Sequence, residues 1–129
     1  AQRAVATAPA GQWQLRVQVL PWPGETWRGG QLANDAVTAA VSALRACQQT
    51  NPGASPSLSL ADPDRVAAVI SGPVILHDYL LADPVSSTVA ELALWSSAPV
   101  QTPYPTGDEA AVFDALAAPL CTAYIDSCP

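Results

Sequence analysis

The only histidine, His77, is followed by Asp78, and Ser71, Ser86 and Ser87 lie close by in sequence. These are the residue types of a Ser-His-Asp hydrolase, in which a carboxylate orients the imidazole and the imidazole takes the serine proton. Adjacent residues on a strand leave opposite faces, so Asp78 is badly placed to orient His77. No G-x-S-x-G elbow accompanies them. The favoured reading is a histidine near a strand edge beside a solvated aspartate. Asp62, Asp64 and Asp83 could collect a hard cation, but the twelve-residue calcium loop with its glycine and terminal glutamate is missing. Next to Pro63 and Pro84 these aspartates read as caps and turns. Gly29-Gly30 lacks the Lys and Ser/Thr of a phosphate loop. No metal site, cofactor or catalytic residue is therefore expected.

Cys47, Cys121 and Cys128 carry the sulfur chemistry. None has C-x-x-C spacing, and one histidine is too few for a zinc site. If the last helix ran unbroken, Cys121 and Cys128 would stand about 10 Å apart along its axis. A disulfide needs its Cα atoms roughly 4.4 to 6.8 Å apart. Cys47 is thus expected to pair with Cys121 or Cys128, leaving an odd thiol that could bridge to another chain. Closing so long a loop is worth up to about 4 kcal/mol.

Aromatic residues supply the candidate binding surface. Trp13, Trp22 and Trp27 are close together, and the Pro21 to Gly30 loop adds Glu25 and Arg28. Trp and Arg are the types enriched in binding hot spots. Trp22, Glu25, Trp27 and Arg28, with Tyr104 from the loop Pro99 to Gly107, form the expected docking patch. Against it stands the alternative that a proline corner folds Trp back as a lid over a small-residue core.

The elements that must hold these residues follow from periodicity. Trp13, Leu15, Val17 and Val19 alternate with Gln12, Gln14, Arg16 and Gln18, which predicts a strand with one wet face. Ala33, Val37, Ala40, Val41, Leu44 and Cys47 predict an amphipathic helix of about four turns. Ser57 to Leu60 reads as a short strand, Asp64 to Val69 as a brief helix behind the Asp62-Pro63 cap, and Val74 to Leu81 as a mostly buried strand. Thr88 to Trp95 fits both a capping box and strand alternation; strand is preferred. Asp108 to Tyr124 reads as a helix capped by Asp108, with Pro119 kinking or dividing it. Residues 1–11 read as a flexible leader or linker and residues 12–129 as one domain. The expected fold is α/β, a mixed sheet of about four strands packed by two main helices, in the order β-α-β-α-β-β-α.

With 129 residues, half of them hydrophobic and 12% charged, the chain has the composition of a single globular domain. Its apolar residues are mostly Ala, Val and Leu, which predicts a core of small side chains and closely packed helices. A net charge of −6, with Arg3, Arg16, Arg28, Arg45 and Arg65 spread singly, argues against nucleic acid or an anionic membrane surface and for a cationic or neutral partner. The absence of Met predicts a processed chain, by signal-peptide removal or as the ectodomain of an anchored protein. No run of 18 apolar residues is present to span a bilayer. The Arg-only cations with abundant Ala and Pro resemble proteins of bacteria with GC-rich genomes.

Leu15-Arg16-Val17-Gln18-Val19-Leu20-Pro21-Trp22 resembles the opening strand of TolB-like amino-terminal domains, with Gly29 to Ala46 in the place of their first helix and Asp108 to Phe113 as the acidic start of the last. The second helix is much shorter here, and Pro84 to Ser87 has no counterpart. The resemblance implies an α/β envelope domain contacting other envelope proteins, with no catalytic residue. Together these readings point to a non-enzymatic, secreted or periplasmic interaction domain that binds a partner protein or cell-envelope component. The ligand-sensing ectodomain of a membrane receptor and a small hydrolase using His77 are the alternatives.

Overall fold

The computed structural model describes residues 4–10, 12–22, 26–50, 55–101, 104 and 108–123. Among the described residues eight elements follow in the order β1 (Ala4–Ala10), β2 (Trp13–Pro21), α1 (Thr26–Thr50), β3 (Ser55–Ala61), β4 (Arg65–Ser71), β5 (Val74–Asp83), β6 (Thr88–Ser97) and α2 (Glu109–Ala123). The strands form a six-stranded sheet in the order β1-β2-β6-β5-β4-β3. An α/β domain with two helices on a sheet is what the periodicity implies, but the sheet is antiparallel at every pairing rather than mixed. It also has six strands rather than four.

Two of the extra pairings overturn local readings. Residues 4–10, expected in the leader, form β1 and pair with β2 from Ala10↔Trp13 to Ala4↔Val19. An edge strand needs only a backbone ladder on one side, so it can form without alternating hydrophobicity. Arg65 to Ser71 is strand β4, not a brief helix. Val66, Ala67 and Ala68 are all buried. A segment buried on both faces carries a continuous apolar run whose period does not separate helix from strand. Its β-branched Val66, Val69 and Ile70 favour the strand. Asp62-Pro63 accordingly makes the β3–β4 turn, where the Asp62 N–H donates to the Arg65 carbonyl at 2.8 Å.

Strand alternation divides the apolar residues between two layers. On one face Val17, Val19, Ala67, Tyr79, Leu81, Ala90 and Leu92 pack under Val112, Phe113, Leu116 and Leu120 of α2. On the other, Val66, Leu80, Ala82 and Val89 pack under Ala33, Val37, Val41 and Leu44 of α1. Each fully buried Val, Leu or Phe contributes roughly 1.5–3 kcal/mol of hydrophobic stabilisation. Asp108 caps α2: its Oδ1 accepts the Ala111 N–H at 2.9 Å. The helix runs through Pro119 to Ala123 as one element, not two.

Helix α1 begins earlier than its apolar stripe suggests, so that part of the expected Pro21 to Gly30 loop is its first turn. Gly29 and Gly30 are buried there against the β5–β6 turn. A Cβ on Gly30 would lie 2.8 Å from the Pro84 carbonyl oxygen. That turn is tied by Asp83, whose Oδ1 accepts the Val85 N–H at 3.2 Å and whose Oδ2 accepts the Ser86 hydroxyl at 2.6 Å. Ser87 has a φ of 53°, and its carbonyl accepts the Trp22 N–H at 2.8 Å. From this anchor α1 crosses to the β3 edge, where Val41, Ser42 and Arg45 share a pocket with Ala61, Asp62 and Pro63.

Candidate functional site

The wall that α1 turns toward β2 and β6 is made of small side chains. Ala36, Ala40, Ala43 and Cys47 recur at helical spacing and face Leu20, Val89 and Leu80 on the sheet across a cavity of about 530 Å³. Small side chains predict close packing of helix on sheet; here they leave space. Trp22 closes one part of the rim, half-buried and packed against the α1 layer. The polar lining comes from Gln18, Asp78 and Glu91.

Register brings those three side chains together. Gln18 on β2 is paired directly with Glu91 on β6. Glu91 is paired with Leu80 on β5, which puts Asp78 diagonally beside it on the same face. Gln18 Nε2 donates to Glu91 Oε1. Arg16, two residues along β2, places Nη2 3.6 Å from the same oxygen. Among the described residues, Asp78 Oδ1 and Gln18 Oε1 are buried acceptors that receive no hydrogen bond. Asp78, Glu91 and Arg16 also line a second cavity of about 230 Å³, floored by Leu76, Ala93 and Trp95. The carboxylates therefore stand where two apolar spaces meet.

Burial, then the Glu91 charge and the hydrogen bond between the two side chains, push the Asp78 carboxyl up to about 8, against the lowering influence of Arg16. Asp78 thus keeps its proton to a higher pH than an exposed aspartate does. Two carboxyl groups face one guanidinium, and a proton makes up the missing positive charge.

Within the expected patch, the sheet divides Trp22 from Tyr104. Trp22 lines the α1-side cavity, whereas Tyr104 is on the α2 side of the sheet. There Tyr104 stacks on His77 with centroids 3.9 Å apart, contacts Trp13 edge-on at 5.3 Å and shares a hydroxyl hydrogen bond of 2.5 Å with Tyr79. Gln12 pins the start of the loop that brings it, donating to the Ser97 and Pro99 carbonyls and accepting the Gln101 N–H. Arg28 is exposed on the first turn of α1. Glu25 and the Trp27 side chain lie outside the described residues.

His77 and Asp78 leave opposite faces, as strand alternation requires. His77 sits among aromatic rings, and burial lowers its pKa. Ser86 and Ser87 are in the turn at the far end of β5. Asp62 and Asp64 are in the β3–β4 turn and Asp83 in the next, and among the described residues no three metal-binding side chains converge. Cys47 is half-buried in the cavity wall. Cys121 belongs to α2, but its side chain lies outside the described residues, as does Cys128, so the expected pairing is untouched by this geometry.

The cluster that does form, Gln18 with Asp78 and Glu91, is not among the site residues inferred from sequence. Its signal is present there: Asp83-Pro84 and Thr88 bracket a hairpin turn, and counting back from it sets Leu80 opposite Glu91 and Asp78 one step beyond. The chain matches no protein-family model, and no curated protein matches it. Among the described residues no helix is long and apolar enough to cross a membrane.

Proposed function

We propose that this chain is a non-enzymatic binding domain working outside the cytoplasm, and that its site is the cavity between α1 and the sheet. The observation that carries this is the cavity itself. Its volume of about 530 Å³ falls within the roughly 300–1,000 Å³ typical of small-molecule sites, which are apolar with a few fixed polar groups. A ligand-sensing ectodomain is the same reading placed within a longer receptor. Supporting binding over turnover, His77 is enclosed by rings and divided from Asp78 by the sheet. Export, a Cys47 disulfide and an envelope partner of the kind the TolB-like resemblance implies belong to the same proposal.

The test is calorimetry with octanol, a neutral probe, on the wild-type chain and on Ala40→Phe, which fills the cavity from the helix side. We expect octanol to bind the wild type and Ala40→Phe to weaken it by about tenfold or more, the cost of one lost apolar subsite, with the circular dichroism unchanged. Equal binding by both proteins, or none by either, would overturn the assignment.

A further inference from the structure

Resting on that cavity as the binding site, we infer that its ligand is an amphipathic amine: an ammonium group held by Asp78, Glu91 and Gln18, with an apolar body lying along α1 toward Trp22. Three features of the site select this chemistry. The two buried oxygens without partners among the described residues, Asp78 Oδ1 and Gln18 Oε1, are both acceptors, so the missing group is a donor. An ammonium carries three N–H donors and no acceptor. With both Asp78 and Glu91 ionised the site would be one cation short, since they face only Arg16, and an ammonium is a cation that can take the place of the Asp78 proton. Arg16 is committed to Glu91 Oε1 and reaches out to solvent, its side chain 44% exposed. Finally, the walls flanking the carboxylates are apolar on both sides: Leu20, Val89 and the α1 alanines on one, Leu76 and Trp95 on the other. A carboxylate ligand would set a third acceptor against two unsatisfied ones, and a neutral alcohol brings no charge to take the place of the Asp78 proton. The net charge of −6 favours the approach of a cation.

Without ligand, the Asp78 proton takes the place of the ammonium. Binding an alkylammonium at neutral pH releases that proton to solvent, and Asp78 becomes a carboxylate paired with the ligand. The groups facing Asp78 are Glu91 and Arg16 from the sheet, with the Cys47 sulfur on the α1 wall of the same cavity; β4 presents Ala68 opposite it. An alkylamine, like lysine, stays protonated up to about pH 10. A change in its affinity between about pH 6 and 9 therefore reports on the protein.

The experiment compares octylamine, octanol and octanoate by calorimetry, with sedimentation in parallel. The wild type should bind octylamine about tenfold or more tighter than octanol, as a buried charged hydrogen bond requires, and octanoate weakest. Octylamine affinity should rise with pH through about 8, with proton release seen in buffers of different ionisation enthalpy, while octanol affinity stays flat. Asp78→Asn and, separately, Glu91→Gln should abolish the preference for octylamine yet keep octanol binding, which shows that the cavity is intact. Octanol binding as tightly as octylamine, or an Asp78→Asn protein that keeps the preference, overturns the amine assignment and leaves the cavity reading standing. Failure of all three probes overturns both, and a dimer indifferent to them would place a second copy on this face instead.

Discussion

Burial and the Glu91 charge raise the Asp78 carboxyl, and this has a consequence for stability apart from any ligand. Its folded pKa of about 8 lies above the ordinary value of 3.8. Between those values the folded chain therefore binds more protons at this position than the unfolded chain. Stability from Asp78 is fully present below the unfolded pKa and is lost as pH rises toward 8. Asp78→Asn copies the protonated form, keeping a donor toward Glu91 with nothing to titrate. Urea unfolding of both proteins at about pH 5 and about pH 8 should show Asp78→Asn gaining on the wild type at the higher pH, by on the order of a few kcal/mol. A difference that does not change with pH would mean that Asp78 is ionised in the folded protein. Sequence already shows that Asp78 cannot serve His77, because neighbours on a strand diverge. Its real partner, Glu91, reads in the sequence only as one member of an ambiguous strand or capping box. A carboxylate pair made by register becomes visible only once the hairpin joining its strands is counted residue by residue.

At the scale of elements, the cavity exists because α1 is held at a fixed height at its start. Gly29 and Gly30 let the first turn sit directly on Ser87 and Pro84. Gly30→Ala gains helix propensity of about 1 kcal/mol, but its methyl would meet backbone at 2.8 Å. The steric term should win, with a net loss of roughly 1–3 kcal/mol in chemical unfolding and weaker octanol binding as α1 is displaced. A Gly30→Ala protein as stable as the wild type, with binding unchanged, would show that this contact does not set the helix. The same elements show how far sequence carries. The alternation from Trp13 to Leu20 and the stripes of α1 and α2 are faithful to the elements that form, but the even face of β2, expected wet, is exposed only at Gln14 and Arg16 and is covered by α1 at Gln18 and Leu20. β4 is buried on both faces and β1 is an edge strand, so neither carries a period to read. Tyr104 and Trp22 share a loop-borne, proline-flanked setting in the sequence. Only the pleat, which assigns odd and even residues of β2 and β5 to opposite layers, separates them.

For the molecule as a whole, one antiparallel sheet carries two unequal layers. The α2 layer is packed by Phe113, Leu116 and Leu120 and by Tyr104 stacked on His77 with Trp13 edge-on to both, and it leaves a smaller space of about 190 Å³ beside Val17 and Leu92. The α1 layer, walled by alanines, stays open beside a buried carboxyl pair. We propose that this inequality gives the fold one face for stability and one for a ligand. Its most direct test is an amide-resolved NMR titration of the intact chain with octylamine. We expect saturable shifts concentrated at Gln18, Leu20, Ala36, Ala40, Ala43, Asp78 and Glu91, with Val17, Leu92, Leu116 and Leu120 nearly still. Shifts centred on the α2 side, or scattered without saturation, would contradict it.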